Sequence, residues 1–411
     1  MRADQDRVNN LVQYVRGLIN KESGKELYLK YKSYIEQVTP QEVFEIFYAQ
    51  LKNGMEPKEI LTILDKVINV FYKSLSGYSW KKPEPNSFMG YLMQENNGLK
   101  NKLEKIKEII KEKSFQVKSE ELLSEIRELS KFNEHYLKLE NILFPYMEKK
   151  MEKFNGLAIM WALHDEARKY LKETVKCLED ENCKEAEFNT IVGALFFAMY
   201  GLAQKEELIL FPAASEIIEE NEWIDMHRQS LDYEFPFINK TKKEIKEEIK
   251  KEMKENDILI GVKEFIKDLN DSKESLVFKT ETGALSFEQL LMIFDVLPVD
   301  LTFVDENNKV RFFTRPKDRI FPRSPAAIGR DVRNCHPPQS VHVVNEIINS
   351  FREGKQDLAT FWIDFKGRKI MIQFFALRDS KNNYRGVLEV SQDITEIRKL
   401  EGERRLLHWG K

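Results

Sequence analysis

The chain has 411 residues, of which 42% are apolar and 32% are charged. At roughly 100–200 residues per domain, this length predicts several domains, and the composition excludes a wholly disordered chain. The 65 Lys and Arg residues nearly balance the 68 Asp and Glu residues, giving a net charge of −3, so the chain lacks the basic surplus of a general nucleic-acid binder.

Cysteine usage and apolar runs predict the compartment. Three cysteines are too few for a disulfide framework or a thiolate zinc site, which favours a reducing environment. The N-terminus lacks the apolar segment of a signal peptide. The longest apolar run, residues 191–203, is shorter than the roughly 18 residues that span a bilayer. We therefore expect a cytoplasmic protein without a transmembrane segment.

Residues 1–80 predict a small all-α domain of unknown function. Thr39 and Pro40 form an N-cap and first-turn pair, and apolar residues follow at helical spacing until Asn53. Pro57 begins the next predicted helix. No cysteine or histidine lies in this region, so it predicts packing rather than chemistry.

A four-helix bundle is predicted at residues 88–238, after a proline-containing linker. Leu, Glu, Lys, Met and Ala dominate this region and favour helix. The four helical stretches lie near 88–113, 118–151, 154–178 and 185–221. Long helices with short connections are typical of an up-down bundle.

Residues 239–274 predict a charged helical connector. Lys and Glu dominate residues 240–256, where the apolar stripe contains only Ile245, Ile249 and Met253. This pattern is typical of a solvated helix, since a dimerising coiled coil would need a wider and longer seam.

Residues 275–396 predict an α+β domain with a five-stranded antiparallel sheet, followed by a C-terminal helix at 397–411. In this part of the chain β-branched and aromatic residues are frequent, and the pattern repeats every two residues, which indicates strands. The predicted strands lie at 301–304, 310–313, 359–365, 370–377 and 387–390, with a helical region at about 337–353. The fold class is therefore multidomain, all-α and then α+β.

One motif occurs twice in the predicted bundle. Glu140 begins Glu-Asn-Ile-Leu-Phe-Pro, and Glu207 begins Glu-Leu-Ile-Leu-Phe-Pro. In a bundle of two similar hairpins, both carboxylates would lie at matched depth. Carboxylates from two helices, together with imidazoles, suit iron or manganese. The candidate metal ligands are His135, Glu140, His164 and Glu207.

The spacing of His135 and Glu140 poses a geometric problem. Positions i and i+5 of a regular α-helix lie roughly 140° apart, so both side chains cannot point at one centre. A π-helical bulge could reconcile them. Alternatively, Glu134 or Glu206 could take the role, or the carboxylates could be surface groups and the histidines hydrogen-bonded structural residues.

These motifs resemble the metal-binding helices of bacterial hemerythrin-like (HHE cation-binding) proteins. The matching segments are residues 135–145, 164–166 and 206–212. The chain resembles a subgroup of this family whose members have three parts: an N-terminal domain of unknown function, the hemerythrin-like bundle and a C-terminal PAS domain. The resemblance implies a non-haem iron site that senses or handles oxygen, nitric oxide or iron.

The first bundle helix departs from that family's pattern. The family supplies histidines there, shortly before a Glu-Asn pair, whereas the matching stretch at residues 86–96 contains none. Glu95 could substitute for one ligand. We therefore expect a degenerate site that holds one iron ion or none.

Residues 290–395 resemble a PAS domain, with 297–305 as its opening strand and 393–395 as its junction to a signalling helix. The resemblance implies a ligand or protein sensor, often dimeric and rarely catalytic. Haem-binding PAS domains place an axial histidine on a helix in this region, so haem is one candidate ligand. Another small ligand and a purely structural or protein-contact role are the alternatives. The candidate haem ligands are Cys335, His336 and His342.

No enzyme motif accompanies these features. The sequence has no Gly-rich phosphate loop, no Gly-x-Ser-x-Gly elbow and no His-Glu-x-x-His. Two functions remain. The first is a cytoplasmic sensor that signals to an unidentified protein partner and could dimerise through its PAS domain. The second is iron delivery, or repair involving reactive oxygen or nitrogen species, by the bundle.

Overall fold

The computed structural model describes residues 4–112, 115–180, 182–256, 277–280, 283–316, 319–336 and 338–403. The chain divides into two compact units, a helical unit described as far as Asn256 and a C-terminal unit that holds the β-sheet. The later part of the predicted connector, residues 257–276, lies outside the described residues.

Four helices begin the helical unit: α1 (Gln5–Ile19), α2 (Gly24–Ile35), α3 (Pro40–Lys52) and α4 (Pro57–Ser76). Thr39 caps α3 through a capping box with Glu42, as the Thr-Pro pair predicted. Glu42 is buried, and Arg7 donates to both of its oxygens at 2.8 Å. These helices share one hydrophobic core with the helices that follow.

The predicted four-helix bundle is confirmed, and two of its helices are composites of shorter segments. The segments are α5 (Phe88–Glu112), α6 (Phe115–Leu129), α7 (Asn133–Lys138), α8 (Phe144–Lys150), α9 (Ala158–Glu179), α10 (Glu185–Lys205) and α11 (Phe211–Ile217). Helix α5 packs on α6, α6 on α9, α9 on α10 and α10 on α5, which closes the bundle.

Two π-helical turns interrupt the bundle, at Leu139–Leu143 and Glu206–Leu210. Each one precedes a Phe-Pro pair, ending in Pro145 and Pro212 respectively. Proline has no N–H and its ring crowds the carbonyl group four residues earlier, so a regular α-helical turn is unfavourable there. The wider π turn accommodates the proline and shifts the helical phase by one residue.

The first part of the connector is packed rather than solvated, which corrects the sequence-based interpretation. Helix α12 (Glu220–Ser230) precedes helix α13 (Lys242–Asn256). Ile245 and Ile249 of α13 are buried and form a small apolar cluster with Tyr91 of α5 and Phe235. The Tyr91 hydroxyl also donates to Glu248 at 2.5 Å. The helix is therefore docked on the bundle.

The C-terminal unit contains the predicted five-stranded antiparallel sheet. Its strands are β3 (Asp300–Asp305), β4 (Val310–Phe313), β5 (Leu358–Phe365), β6 (Arg368–Arg378) and β7 (Tyr384–Asp393), in the order β4-β3-β7-β6-β5. A hairpin of β1 (Val277–Thr280) and β2 (Gly283–Ser286) and a helix α14 (Phe287–Val296) precede the sheet.

Helix α15 (Pro338–Arg352) lies against the sheet and forms its core. Ile348 and Phe351 pack against Val304, Val310 and Val387. The predicted C-terminal helix is not seen in its described part, where a single 3₁₀ turn covers Ile397–Lys399. Residues 404–411 lie outside the described part of the chain.

Two further features concern the fourth bundle helix and its connection. Cys177 and Cys183 form a disulfide before α10, with Cα atoms 5.4 Å apart, which the cysteine count did not lead us to expect.

Within the described residues, one helical stretch, Glu185–Ile217, could cross a membrane as judged by its length and composition alone. About a third of its most apolar window is buried.

Candidate functional site in the bundle interior

The first π-helical turn brings His135 and Glu140 to the same interior face. Both side chains are buried, and so is His164 of α9. The phase shift of the π turn removes the conflict that their i, i+5 spacing would create in a regular helix. Three of the four predicted metal ligands are therefore buried in the bundle interior, with Glu140 next to His164 and His135 next to other carboxylates.

Glu207, the fourth predicted ligand, lies outside this interior. Its side chain is 29% exposed, and Lys100 of α5 donates to it at 2.6 Å. The neighbouring Glu206, which the sequence left open as an alternative, is completely buried and points inward. The second π turn sets this orientation. The structure thus places Glu206 rather than Glu207 in the interior, while Glu134 lies at the edge, where it accepts from the backbone N–H of Glu234.

His135 lies between two buried carboxylates. Its Nδ1 is 2.8 Å from an oxygen of Glu95, and its Nε2 is 3.0 Å from an oxygen of Glu206. Asn96 donates to the same oxygen of Glu206 at 2.8 Å. Burial alone lowers the pKa of His135, but Glu206 and Glu95 outweigh it and raise that pKa to about 9. Both ring nitrogens therefore donate, and the ring carries a positive charge at neutral pH.

Lys138 supplies a second cation at the same centre. Its ammonium forms an ion pair with Glu95 and donates to the backbone carbonyl of Glu234 at 2.8 Å. It also lies over the ring of Phe235, 4.2 Å from the centroid. Burial lowers the pKa of Lys138, and Glu95 opposes that shift.

Glu140 has an imidazole and a guanidinium as partners. His164 Nδ1 lies 2.8 Å from one of its oxygens, and Arg168 donates to both oxygens at 2.9 Å. Arg168 also donates to the side-chain oxygen of Asn133 at 2.8 Å. Burial raises the pKa of Glu140, but Arg168 and His164 outweigh it, so the pKa lies below its ordinary value.

Four buried polar atoms in this interior have no hydrogen-bond partner within the described structure. They are Asn96 Oδ1, Tyr136 Oη, His164 Nε2 and Glu206 Oε1. The Tyr136 ring stacks on the His164 ring, with centroids 4.4 Å apart. Atoms of this kind are usually satisfied by ordered water.

The residues present do not fit the non-haem iron site that the resemblance implies. The resembled family supplies histidines from the first bundle helix, and α5 contains none. Here the three buried carboxylates, Glu95, Glu140 and Glu206, are each bonded to a positively charged or imidazole side chain. No group of three or more His, Cys, Asp or Glu residues is arranged to hold a metal ion in the part of the chain that the structure describes.

Lys138 and Arg168 were missed by sequence reasoning, although a signal was present. Lys138 follows His135 by three residues and Arg168 follows His164 by four. Residues at these spacings share a helix face, so a cation there points inward with the histidine. Glu95 was recognised only as a substitute ligand, and it is instead the shared partner of His135 and Lys138.

The three predicted haem ligands, Cys335, His336 and His342, lie in different surroundings in the C-terminal unit. His342 is exposed on α15, which contradicts an axial role. His336 lines a cavity of about 30 Å³ with Glu389 and apolar residues, whereas ligand pockets usually enclose about 300–1,000 Å³. Cys335 is half-buried, and its thiol points to the carbonyl of Asp331. Burial lowers the pKa of His336. This cavity does not accommodate a haem.

Comparison with known proteins agrees with both architectures. Residues 88–214 match the model of the hemerythrin HHE cation binding domain, and residues 290–395 match a PAS domain model. No curated protein matches the chain.

Three solved structures resemble parts of the chain. A C-terminal domain from Streptococcus mutans is 29% identical over 31% of this chain and 98% of that chain, with a TM-score of 0.30. The PAS domain of a Colwellia psychrerythraea protein is 21% identical over 26% of this chain and 97% of that one, with a TM-score of 0.22. A sensory box sensor histidine kinase from Vibrio cholerae is 12% identical over 26% of this chain and 89% of that chain, with a TM-score of 0.21.

The family matches and the two described architectures agree on the organisation of the molecule. The protein consists of an all-helical N-terminal region, a hemerythrin HHE domain at residues 88–214 and a PAS domain at residues 290–395.

Proposed function

We propose that this protein is a cytoplasmic sensor in which the state of the bundle interior is passed to helix α13, the last described helix before the PAS domain in sequence. The combination of a hemerythrin HHE domain with a PAS domain supports a sensory role in general. Signalling requires an element with two states that the bundle can bias. Helix α13 is the candidate for that element.

A continuous set of contacts supports this assignment. Lys138 bonds Glu95 in the interior, the backbone carbonyl of Glu234 and the ring of Phe235. Phe235 in turn belongs to the cluster that buries Ile245 of α13. A change at Lys138 therefore alters the surface on which α13 is docked. This connection is the observation that carries the proposal.

The PAS domain would then contact a protein partner or a second copy of the chain. Helix α14 supports such a contact because no residue of it is buried within the described structure, although most of its residues are apolar. Val296 is 78% exposed and Phe287 is 54% exposed. Exposed apolar residues that cluster in this way are typical of a protein interface.

Hydrogen exchange of the full-length protein tests the proposal. Lys138→Met should reduce the protection of backbone amides in α13, whereas Lys131→Met, an exposed lysine in the same composite helix, should not. The proposal is wrong if α13 keeps its protection in Lys138→Met while the amides around Glu95 and Glu234 lose theirs. Iron delivery or repair by the bundle has less support, because Glu95 and Glu140 are each bonded to a protein cation.

A further inference from the structure

The bundle interior contains two similar ion clusters, each built around one carboxylate. Glu95 has His135 and Lys138 as partners, and Glu140 has His164 and Arg168. In each cluster the imidazole and the cation come from one helix, a single turn apart. The two clusters therefore have the same composition, one carboxylate with one imidazole and one cation. The cation is an ammonium in the first and a guanidinium in the second.

Both cations are held by several further contacts. The Lys138 ammonium also bonds the carbonyl of Glu234 and lies over the Phe235 ring. The Arg168 guanidinium bonds Asn133 at 2.8 Å and Asp165 at 3.3 Å. Because each of these side chains makes several such contacts, the fold holds it in one position in the interior.

These cations supply the positive charge that buried carboxylates require. A carboxylate that is buried without a counter-charge strongly destabilises a fold, and in a metal-binding bundle the metal supplies that charge. Here the ammonium of Lys138 pairs with Glu95 and the guanidinium of Arg168 pairs with Glu140. These two buried carboxylates therefore already have the counter-charge that a metal ion would supply.

We infer that Lys138 and Arg168 replace the metal ion of the hemerythrin HHE domain in this chain, so that the bundle folds and remains folded with protein cations alone. This inference stands independently of the proposed sensory function, since it concerns only what neutralises Glu95 and Glu140. It assigns to the interior a structural ion network in place of a cation-binding site.

Thermal unfolding of the full-length protein provides the first test. The melting temperature should be the same in the presence of a strong chelator and in the presence of added ferrous iron. A ligand that binds only the folded state raises the melting temperature. An increase with iron, or a decrease with chelator, would therefore overturn the inference.

Paired variants provide the second test. Lys138→Met leaves Glu95 buried without its ammonium and should lower the melting temperature by roughly 10 °C, whereas the exposed Lys131→Met should change it little. Glu95→Gln combined with Lys138→Met removes both charges and should recover a large part of the loss. If the double variant is no more stable than Lys138→Met, or if Lys138→Met is as stable as Lys131→Met, Lys138 does not have this role. If Lys138→Met does not fold, recovery of a folded double variant still decides the question.

Discussion

At the scale of single residues, the two adjacent acids Glu206 and Glu207 have opposite roles. The repeat in the sequence aligned Glu207 with Glu140, yet the second π turn directs Glu206 inward and leaves Glu207 paired with Lys100 at the surface. Sequence spacing could not separate these neighbours, because which of them points inward depends on where the helical phase shifts.

Neutralising each acid should therefore have very different consequences. Glu206→Gln removes the charge that faces the His135 ring and should destabilise the protein by about 3 kcal/mol. Glu207→Gln breaks only a partly exposed ion pair and should cost less than about 1 kcal/mol. Urea unfolding of both variants measures the difference. Equal losses would show that Glu206 is not a partner of a buried charge.

The protonation of His135 predicts a pH dependence. Its pKa is about 9 in the folded protein, because Glu206 and Glu95 outweigh burial, and about 6.5 when unfolded. The stabilisation is thus fully present below pH 6.5 and is lost as the pH rises through 9. The loss amounts to about 3 kcal/mol, given 1.4 kcal/mol per pKa unit.

Urea unfolding at pH 6 and at pH 9.5 measures this loss, with His135→Gln as the comparison. Because the variant has no imidazole, its stability should fall less between these two pH values than that of the wild type. Equal slopes in both proteins would contradict the assignment of a charged ring.

At the scale of elements, glycines in two bundle helices have opposite surroundings. A Cβ added at Gly98 of α5 would overlap the backbone carbonyl of Phe237, whereas nothing lies within 4 Å of one added at Gly193 of α10. Glycine inside a helix is otherwise less favourable than alanine by roughly 0.5–1 kcal/mol.

Alanine substitution should therefore act in opposite directions. Gly193→Ala should stabilise the protein by about 0.5–1 kcal/mol. Gly98→Ala should destabilise it by about 1–3 kcal/mol, because the segment at Phe237 must move. Denaturant titrations of both variants check this, and a stabilised Gly98→Ala would show that α5 and this segment do not approach so closely.

Much of the element order could be predicted from the sequence, since the helices, strands and capping residues follow from periodicity and local chemistry. The Thr39 cap and the strand at residues 310–313 are examples. The docking of α13 could not be predicted, because its stripe of Ile245 and Ile249 is too narrow to reveal that Tyr91 and Phe235 cover it. Lys138 and Arg168 could have been found from their spacing to His135 and His164, although many other charged residues lie on the same helices.

At the scale of the whole molecule, the exposed apolar side chains of α14 predict self-association. Val296→Asp places a charge where we expect apolar contact, and it should convert a dimer into a monomer. Glu288→Gln, on the same helix, should leave the dimer intact. Light scattering coupled to size-exclusion chromatography measures both masses. A monomeric wild type, or a Val296→Asp variant that remains dimeric, would contradict a dimer through α14.

The central claim is that protein cations neutralise the buried carboxylates of the bundle. Elemental analysis of the full-length protein, purified from iron-supplemented cells without chelator, tests it most directly. The network of Glu95, Lys138, Glu140 and Arg168 predicts well below one iron atom per chain in a fully folded protein. One or two tightly bound iron atoms per chain would contradict it.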